Sequence, residues 1–168
     1  MEKRPRRQQN SGERERSEFD QKVIELSRVT RVVKGGKRMR FRALVVIGDR
    51  KGRVGMGLRK GADVQESVNK AVAAAKKSLI TLPLINETIP HEVHIKYKAS
   101  KLFLKPAKQG AGVKAGGAIR GCLELAGVKN VSGKLLGSNN KVNNVKAVFQ
   151  ALKSLRSAEV LNSRKVKQ

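Results

Sequence analysis

Apolar and polar residues begin to alternate at Phe19, and they do so in runs long enough for strands. Lys22 to Lys34, Arg38 to Asp49 and Arg53 to Leu58 each read as a strand. They are parted by two turn signals, Lys34-Gly35-Gly36-Lys37 and Gly48-Asp49-Arg50-Lys51-Gly52. In Arg38-Met39-Arg40-Phe41-Arg42 the basic and apolar residues alternate, so one face packs inward, with Phe41 in the core, and the other carries positive charge. The period then changes to that of a helix. Asp63 with Glu66 three residues later makes a capping-box-like start, and Val68, Ala71, Val72, Ala75 and Leu79 fall on one side before Pro83.

The stretch Leu82 to Pro90 holds two prolines, and strand alternation restarts after it, which places a domain boundary there. His91 to Lys98 and Leu102 to Lys105 predict a hairpin turning at Lys98 to Lys101. A flexible glycine-rich loop follows from Gln109 to Gly117. It leads into a helix that ends near Ala126, with Gly127 suited to the C′ position. Val128 to Leu136 reads as a strand. A last helix runs from about Lys141 to Arg156, capped by Asn139 or Asn140, with Val142, Val145, Phe149, Leu152 and Leu155 on its buried stripe. Residues 1–18 read as a flexible basic tail, 19–84 as a first domain, 85–156 as a second and 157–168 as another basic tail.

The 168 residues, 39% of them apolar, allow two compact cores of which neither is large. With aromatics at 3% and no Trp, those cores are made of Val, Ile, Leu and Ala. Charge changes the picture most. Thirty-eight Lys and Arg stand against 13 Asp and Glu, a formal +25 whose self-repulsion a polyanion would relieve. The basic residues are spread through strands and turns and do not stack along one amphipathic helix face, which favours nucleic acid over a membrane surface. Phosphate contacts with counterion release would supply most of the affinity. No run of 18 apolar residues occurs and the first 20 residues hold no signal-like stretch, so a soluble intracellular protein is expected. Cys122 is the single cysteine, which excludes an internal disulfide and a cysteine-based zinc site.

Catalytic chemistry has little to draw on. Gly110-Ala111-Gly112-Val113-Lys114-Ala115 fits a relaxed dinucleotide fingerprint, but no Asp or Glu lies between Glu124 and Glu159 to bind a ribose. Gly112 to Gly117 has Walker-like glycine spacing and is followed by Ala118 where Lys is required. What remains is a loop whose backbone can approach another surface, or offer N–H groups to a phosphate at a helix start. His91 and His94, three apart on a strand, point to opposite faces and do not converge. Catalytic residues, metal ligands and cofactors are therefore not expected. The basic clusters are the positive signal. Lys34, Lys37 and Arg38 flank paired glycines at a hairpin tip. Arg50, Lys51 and Arg53 repeat the device on the next turn, with Arg59 and Lys60 close behind. Stacking aromatics are scarce, so shape and backbone recognition of structured RNA fits better than capture of single strands.

Ordered motifs then carry a resemblance: Arg28-Val29-Thr30 with Val33-Lys34-Gly35-Gly36, Gly48-Asp49, Gly52-Arg53-Val54-Gly55, Ala115-Gly116-Gly117-Ala118-Ile119-Arg120 and Ala126-Gly127-Val128-Lys129-Asn130-Val131. Over roughly Phe19 to Arg156 the chain resembles the bacterial-type small-subunit ribosomal proteins of universal family five. The resemblance implies an α+β protein with an N-terminal βββα domain similar to a double-stranded-RNA-binding fold. It implies a C-terminal ββαβα domain with a left-handed βαβ crossover, against the usual hand. It further implies binding to small-subunit rRNA through Arg28, Arg31, Lys34, Gly35, Gly36, Lys37, Arg38, Arg40, Arg50, Lys51, Arg53, Arg59, Lys60, Lys108 and Lys114. Other implied neighbours are small-subunit proteins four and eight and the region where mRNA enters. Gly110, Gly112 and Arg120 match an interface with protein four that affects accuracy. The location implied is the cytoplasmic ribosome of a bacterium, with an organelle as the alternative. Two departures stand out: no first helix precedes Lys22, and the tails match nothing distinctive. A free RNA chaperone and a phosphate-transfer enzyme are the rival functions. The first would bind generic duplex RNA equally well, and the second would need a nucleotide loop and metal-binding acids.

Overall fold

The computed structural model describes residues 18–156; both expected tails, except Glu18, lie outside the described residues. The element order is β1 (Asp20–Val33), β2 (Gly36–Gly48), β3 (Arg53–Gly61), α1 (Val64–Lys76), β4 (Ile80–Thr81), β5 (Val93–Tyr97), β6 (Ser100–Pro106), β7 (Val113–Lys114), α2 (Gly117–Ala126), β8 (Val131–Leu136) and α3 (Lys141–Ser154). The strands make two four-stranded sheets, ordered β1-β2-β3-β4 and β5-β6-β8-β7. The first is antiparallel throughout. In the second, β7 runs parallel to β8 and is joined to it through α2.

Local chemistry sets the helix ends. Asp63 Oδ2 accepts the N–H of Gln65 and Glu66 Oε2 reaches back to the N–H of Ala62, so the two residues close the helix start with each bond one position off the standard capping box. Asn140, not Asn139, caps α3, accepting the N–H groups of Val142 and Asn143. Gly127 takes the left-handed conformation (φ 85°) that closes α2, with the N–H of Val128 reaching the carbonyl of Leu123. Helix α1 lies close against β3 because Gly57 leaves no side chain in the way: a Cβ there would stand 1.9 Å from the carbonyl oxygen of Ala71.

The cores differ from the expected pair of independent interiors. A small cluster, Ala43, Val45, Ile47, Ala71 and Ala75, lies between the first sheet and α1. A much larger cluster joins Leu44, Val46 and Val54, from the opposite face of that sheet, to Leu102, Leu104, Ile119, Leu123, Val148 and Leu152 of the second unit. The first sheet is thus covered on both faces, by α1 on one side and by the C-terminal unit on the other. Each fully buried Leu, Ile or Val contributes about 1.5–3 kcal/mol, so this shared interior ties the two units into one folding problem.

The connection between the units is fastened as well. The N–H of Leu82 donates to Gly52, and the N–H groups of Lys129 and Asn130 donate to the carbonyl of Glu87. Ile89 is buried in the shared cluster. Two short strands escaped the sequence pattern, β4 beside β3 and β7 within the supposedly flexible glycine loop. Val128 to Asn130, expected to be strand, lies outside β8. Phe41, expected in the core, is only partly buried and belongs to neither cluster.

Candidate nucleic-acid interface

β1 and β2 stay paired from Asp20↔Gly48 to Val33↔Gly36, but β3 pairs with β2 only from Gly48 back to Phe41. The rest of the hairpin projects as a two-stranded arm. Its tip turns through Lys34 and Gly35, with Gly35 at φ 86°, as a turn needing one left-handed residue requires. From Leu26 to Arg42 the sequence has seven Lys and Arg and no Asp or Glu.

Register sorts these cations onto faces. Arg31 stands opposite Arg38, Val29 opposite Arg40 and Ser27 opposite Arg42, whose Nε donates to Ser27 Oγ at 3.2 Å. Lys60 of β3 stands opposite Arg42. Arg31, Arg38, Arg40, Arg42 and Lys60 therefore share one face, and Arg31, Arg38, Arg40 and Lys60 line a hollow of about 480 Å³ floored by Val29 and Val33. Like charges directly opposite each other cost about 0.2–1 kcal/mol per pair, a cost that a bound anion cancels. Arg28 and Lys37 fall on the other face, next to exposed Val32 and Met39, and Arg59 falls on the α1 side.

The second basic turn repeats the first in charge but not in setting, because its arginines meet carboxylates. It lies at the far end of β2, about 40 Å from the arm tip at strand rise. Arg50 pairs with Asp20 at 2.8 Å. Arg53 pairs with Asp49 at 2.7 Å and Glu18 at 2.5 Å, and lies over the Phe19 ring. Burial alone would push the Asp49 carboxyl up. The Arg53 guanidinium and the N–H groups of Lys51 and Arg53 outweigh it and hold Asp49 below the usual carboxylate range.

The backbone of this turn is docked on α2. The N–H groups of Arg50 and Gly52 donate, at 3.0 Å each, to the carbonyls of Leu125 and Ala126. Helix ends leave such carbonyls without partners, and here the other unit supplies the donors. Gly48 makes room for this approach. A sequence shows the positive charges of this turn but neither their acidic partners nor the carbonyls beneath.

The remaining candidates are scattered. Gly110 and Gly112 are left-handed, and a Cβ at either would meet open space. The carbonyl of Gly112 accepts the N–H of Val131, and its own N–H reaches Asn130 Oδ1. Arg120 is exposed and pairs along α2 with Glu124 at 2.7 Å, which together with Lys22 from β1 holds that carboxyl below its usual range. Lys51, Lys108 and Lys114 are exposed. His94 lies against Phe103 with ring centres 4.2 Å apart and planes tilted by 60°, whereas Nδ1 of His91 is buried without a partner. Among the described residues no group of three or more His, Cys, Asp or Glu side chains could hold a metal, and no helix is long and apolar enough to cross a membrane.

An acid-free arm carrying cations in register on a doubly covered sheet defines an RNA-binding scaffold protein. Two family models agree: "Ribosomal protein S5, N-terminal domain" matches residues 19–83 and "Ribosomal protein S5, C-terminal domain" matches residues 95–165. The chain belongs to the ribosomal protein S5 family, structural proteins of the small ribosomal subunit that bind its rRNA and catalyse no reaction. The second match runs on to residue 165, so most of the segment expected to be a tail without family likeness falls inside the family pattern.

Proposed function

We propose that the arm is the principal rRNA contact and that the protein holds the head of the small subunit relative to its body. The observation that carries this is the face shared by Arg31, Arg38, Arg40, Arg42 and Lys60, with no carboxylate in the arm to neutralise it. Lys34 and Lys37 extend the positive surface to the tip, where Gly35 and Gly36 have nothing within 4 Å of a Cβ and let RNA come close to the backbone. Arg28 and Arg59 add charge on the opposite face. The Arg50 and Arg53 side chains pair with carboxylates of the first unit yet stay 70% and 44% exposed, so together with Lys51 they remain open to phosphate.

In this reading residues 19–84 and 85–156 act as two domains on one shared core, with a left-handed crossover expected for the β7-α2-β8 unit. Gly110, Gly112 and Arg120 face small-subunit protein four, and that interface biases the subunit toward its closed, tRNA-accepting state and so sets accuracy. The open space at both glycines suits such a contact. Protein eight and the region where mRNA enters are the other neighbours, in a bacterial cytoplasmic ribosome.

The test is the salt dependence of binding to small-subunit rRNA by the full chain and by a variant with Arg31, Arg38 and Arg40 all replaced by Gln. If all three neutralise phosphates, the slope of log K against log salt becomes shallower by about 2 to 3. An unchanged slope removes the arm from the interface.

A further inference from the structure

The second sheet has a side that no helix covers. Its inward residues, Val93, Leu102, Leu104 and Val131, enter the shared core under α2 and α3. The outward positions follow from register. His94 stands opposite Phe103 and Phe103 opposite Lys134; Lys96 stands opposite Lys101 and Lys101 opposite Leu136; Lys105 stands opposite Ser132 and Ser132 opposite Lys114. Five lysines from all four strands thus stand on one face. Every one of them is exposed, and the outward strand positions include no Asp or Glu. The nearest acid along the chain, Glu92, comes just before β5.

This face is physically odd unless something anionic lies on it. Lys96 and Lys101 are directly opposed, an arrangement that disfavours the sheet. None of the five has a carboxylate partner among the ion pairs of the described residues. A protein partner is a poor match, because the cores of protein interfaces are depleted in lysine and built on aromatic and apolar anchors. Here the one large apolar side chain that stands out is Leu136, 54% exposed. A polyanion with flat rings is a better match. Lysines hold phosphates as mobile point charges, and the tilted His94–Phe103 pair, beside a hollow of about 360 Å³ that both residues line, offers ring surface to an unpaired base.

We propose that the outward face of the second sheet is a second RNA-binding surface, separate from the arm, on which Lys96, Lys101, Lys105, Lys114 and Lys134 hold the phosphates of an RNA strand. It rests on the reading of the arm as an rRNA contact and adds a second grip facing another RNA segment. The two grips are rigidly related, since the shared core fixes one sheet against the other.

The experiment adds a sheet variant (K96Q, K101Q, K134Q) to the salt titration of the arm variant against small-subunit rRNA. A slope shallower than wild type by about 2 to 3 in the sheet variant is the expected result. A wild-type slope in the sheet variant beside a reduced slope in the arm variant overturns the second surface and leaves the arm standing. Such a result would point to a protein or lipid partner for this face. Wild-type slopes in both variants overturn both readings. Removing opposed lysines relieves repulsion, so the variant is expected to fold. If circular dichroism shows otherwise, the single variants K101Q and K134Q, each expected to lower the slope by about 0.7 to 0.9, decide the question in the same way.

Discussion

Replacing Gly48 by Ala drives a wedge between the two units. A Cβ at Gly48 would sit 2.1 Å from the carbonyl oxygen of Leu125, where ordinary contact starts at 3.4 Å. Gly48 is not at positive φ, so the substitution adds no backbone strain of its own and its whole cost comes from the opening. The obstructing atoms are the carbonyl oxygen, carbonyl carbon and Cβ of Leu125, none of which moves with a change of rotamer.

Parting them by more than an ångström breaks the bonds from the N–H groups of Arg50 and Gly52 to Leu125 and Ala126, about 1–3 kcal/mol for the pair. It also opens a gap between Leu44 and Val46 and the residues of α2, forfeiting a quarter to a half of their dispersion contact, about 1–2 kcal/mol more. The expected destabilisation is about 2–5 kcal/mol, a fall in the urea midpoint on the order of 1 to 2 M. Gly117→Ala is the control: a Cβ there meets nothing, and Ala favours the helix. A Gly48→Ala midpoint within about 0.2 M of wild type would show that the joint is loose and refute the shared core as the source of rigidity.

Two further outcomes are expected. The folded-state pKa of Asp49 is depressed below that of an ordinary aspartate, so its stabilising contribution is complete above the ordinary pKa and is lost as pH falls through the folded one. Acid unfolding of Asp49→Asn, followed by circular dichroism, should therefore show a shallower loss of stability below about pH 4 than wild type. Burial pushes the Cys122 thiol up to about 12, so the native protein should react with a thiol reagent at neutral pH far more slowly than the urea-unfolded chain. Equal rates would mean that α2 opens readily.

Much of the architecture was legible in the chain because it is written in short-range chemistry. Period-2 runs marked the long strands, Asp63 with Glu66 and the pair Asn139-Asn140 marked helix starts, and Gly127 marked a helix end. Strands β4 and β7, two residues each, exist only because β3 and β8 lie beside them, and no local pattern encodes that. The candidate site was legible at the arm, where glycines and cations sit together in sequence. It was only half legible at the turn from Gly48 to Gly52, whose charges are answered by Glu18 just before β1, by Asp20 at its start and by Asp49 within the turn itself. The lysines of the second sheet alternate with apolar residues in plain view. Their convergence depends on which strand neighbours which, and that order, β5-β6-β8-β7, is a tertiary fact.

The shared core has a consequence for how the chain is made. Synthesis runs from the N-terminus, so the first sheet and α1 leave the ribosome while residues 117–154, which form α2 and α3, do not yet exist. During that interval Leu44, Val46 and Val54 have no cover, and Leu125 and Ala126 have not arrived to receive the N–H groups of Arg50 and Gly52. A nascent chain halted near Pro90 would present a sticky, half-finished sheet, and the time taken to add the next sixty or so residues sets how long it must be kept from its neighbours.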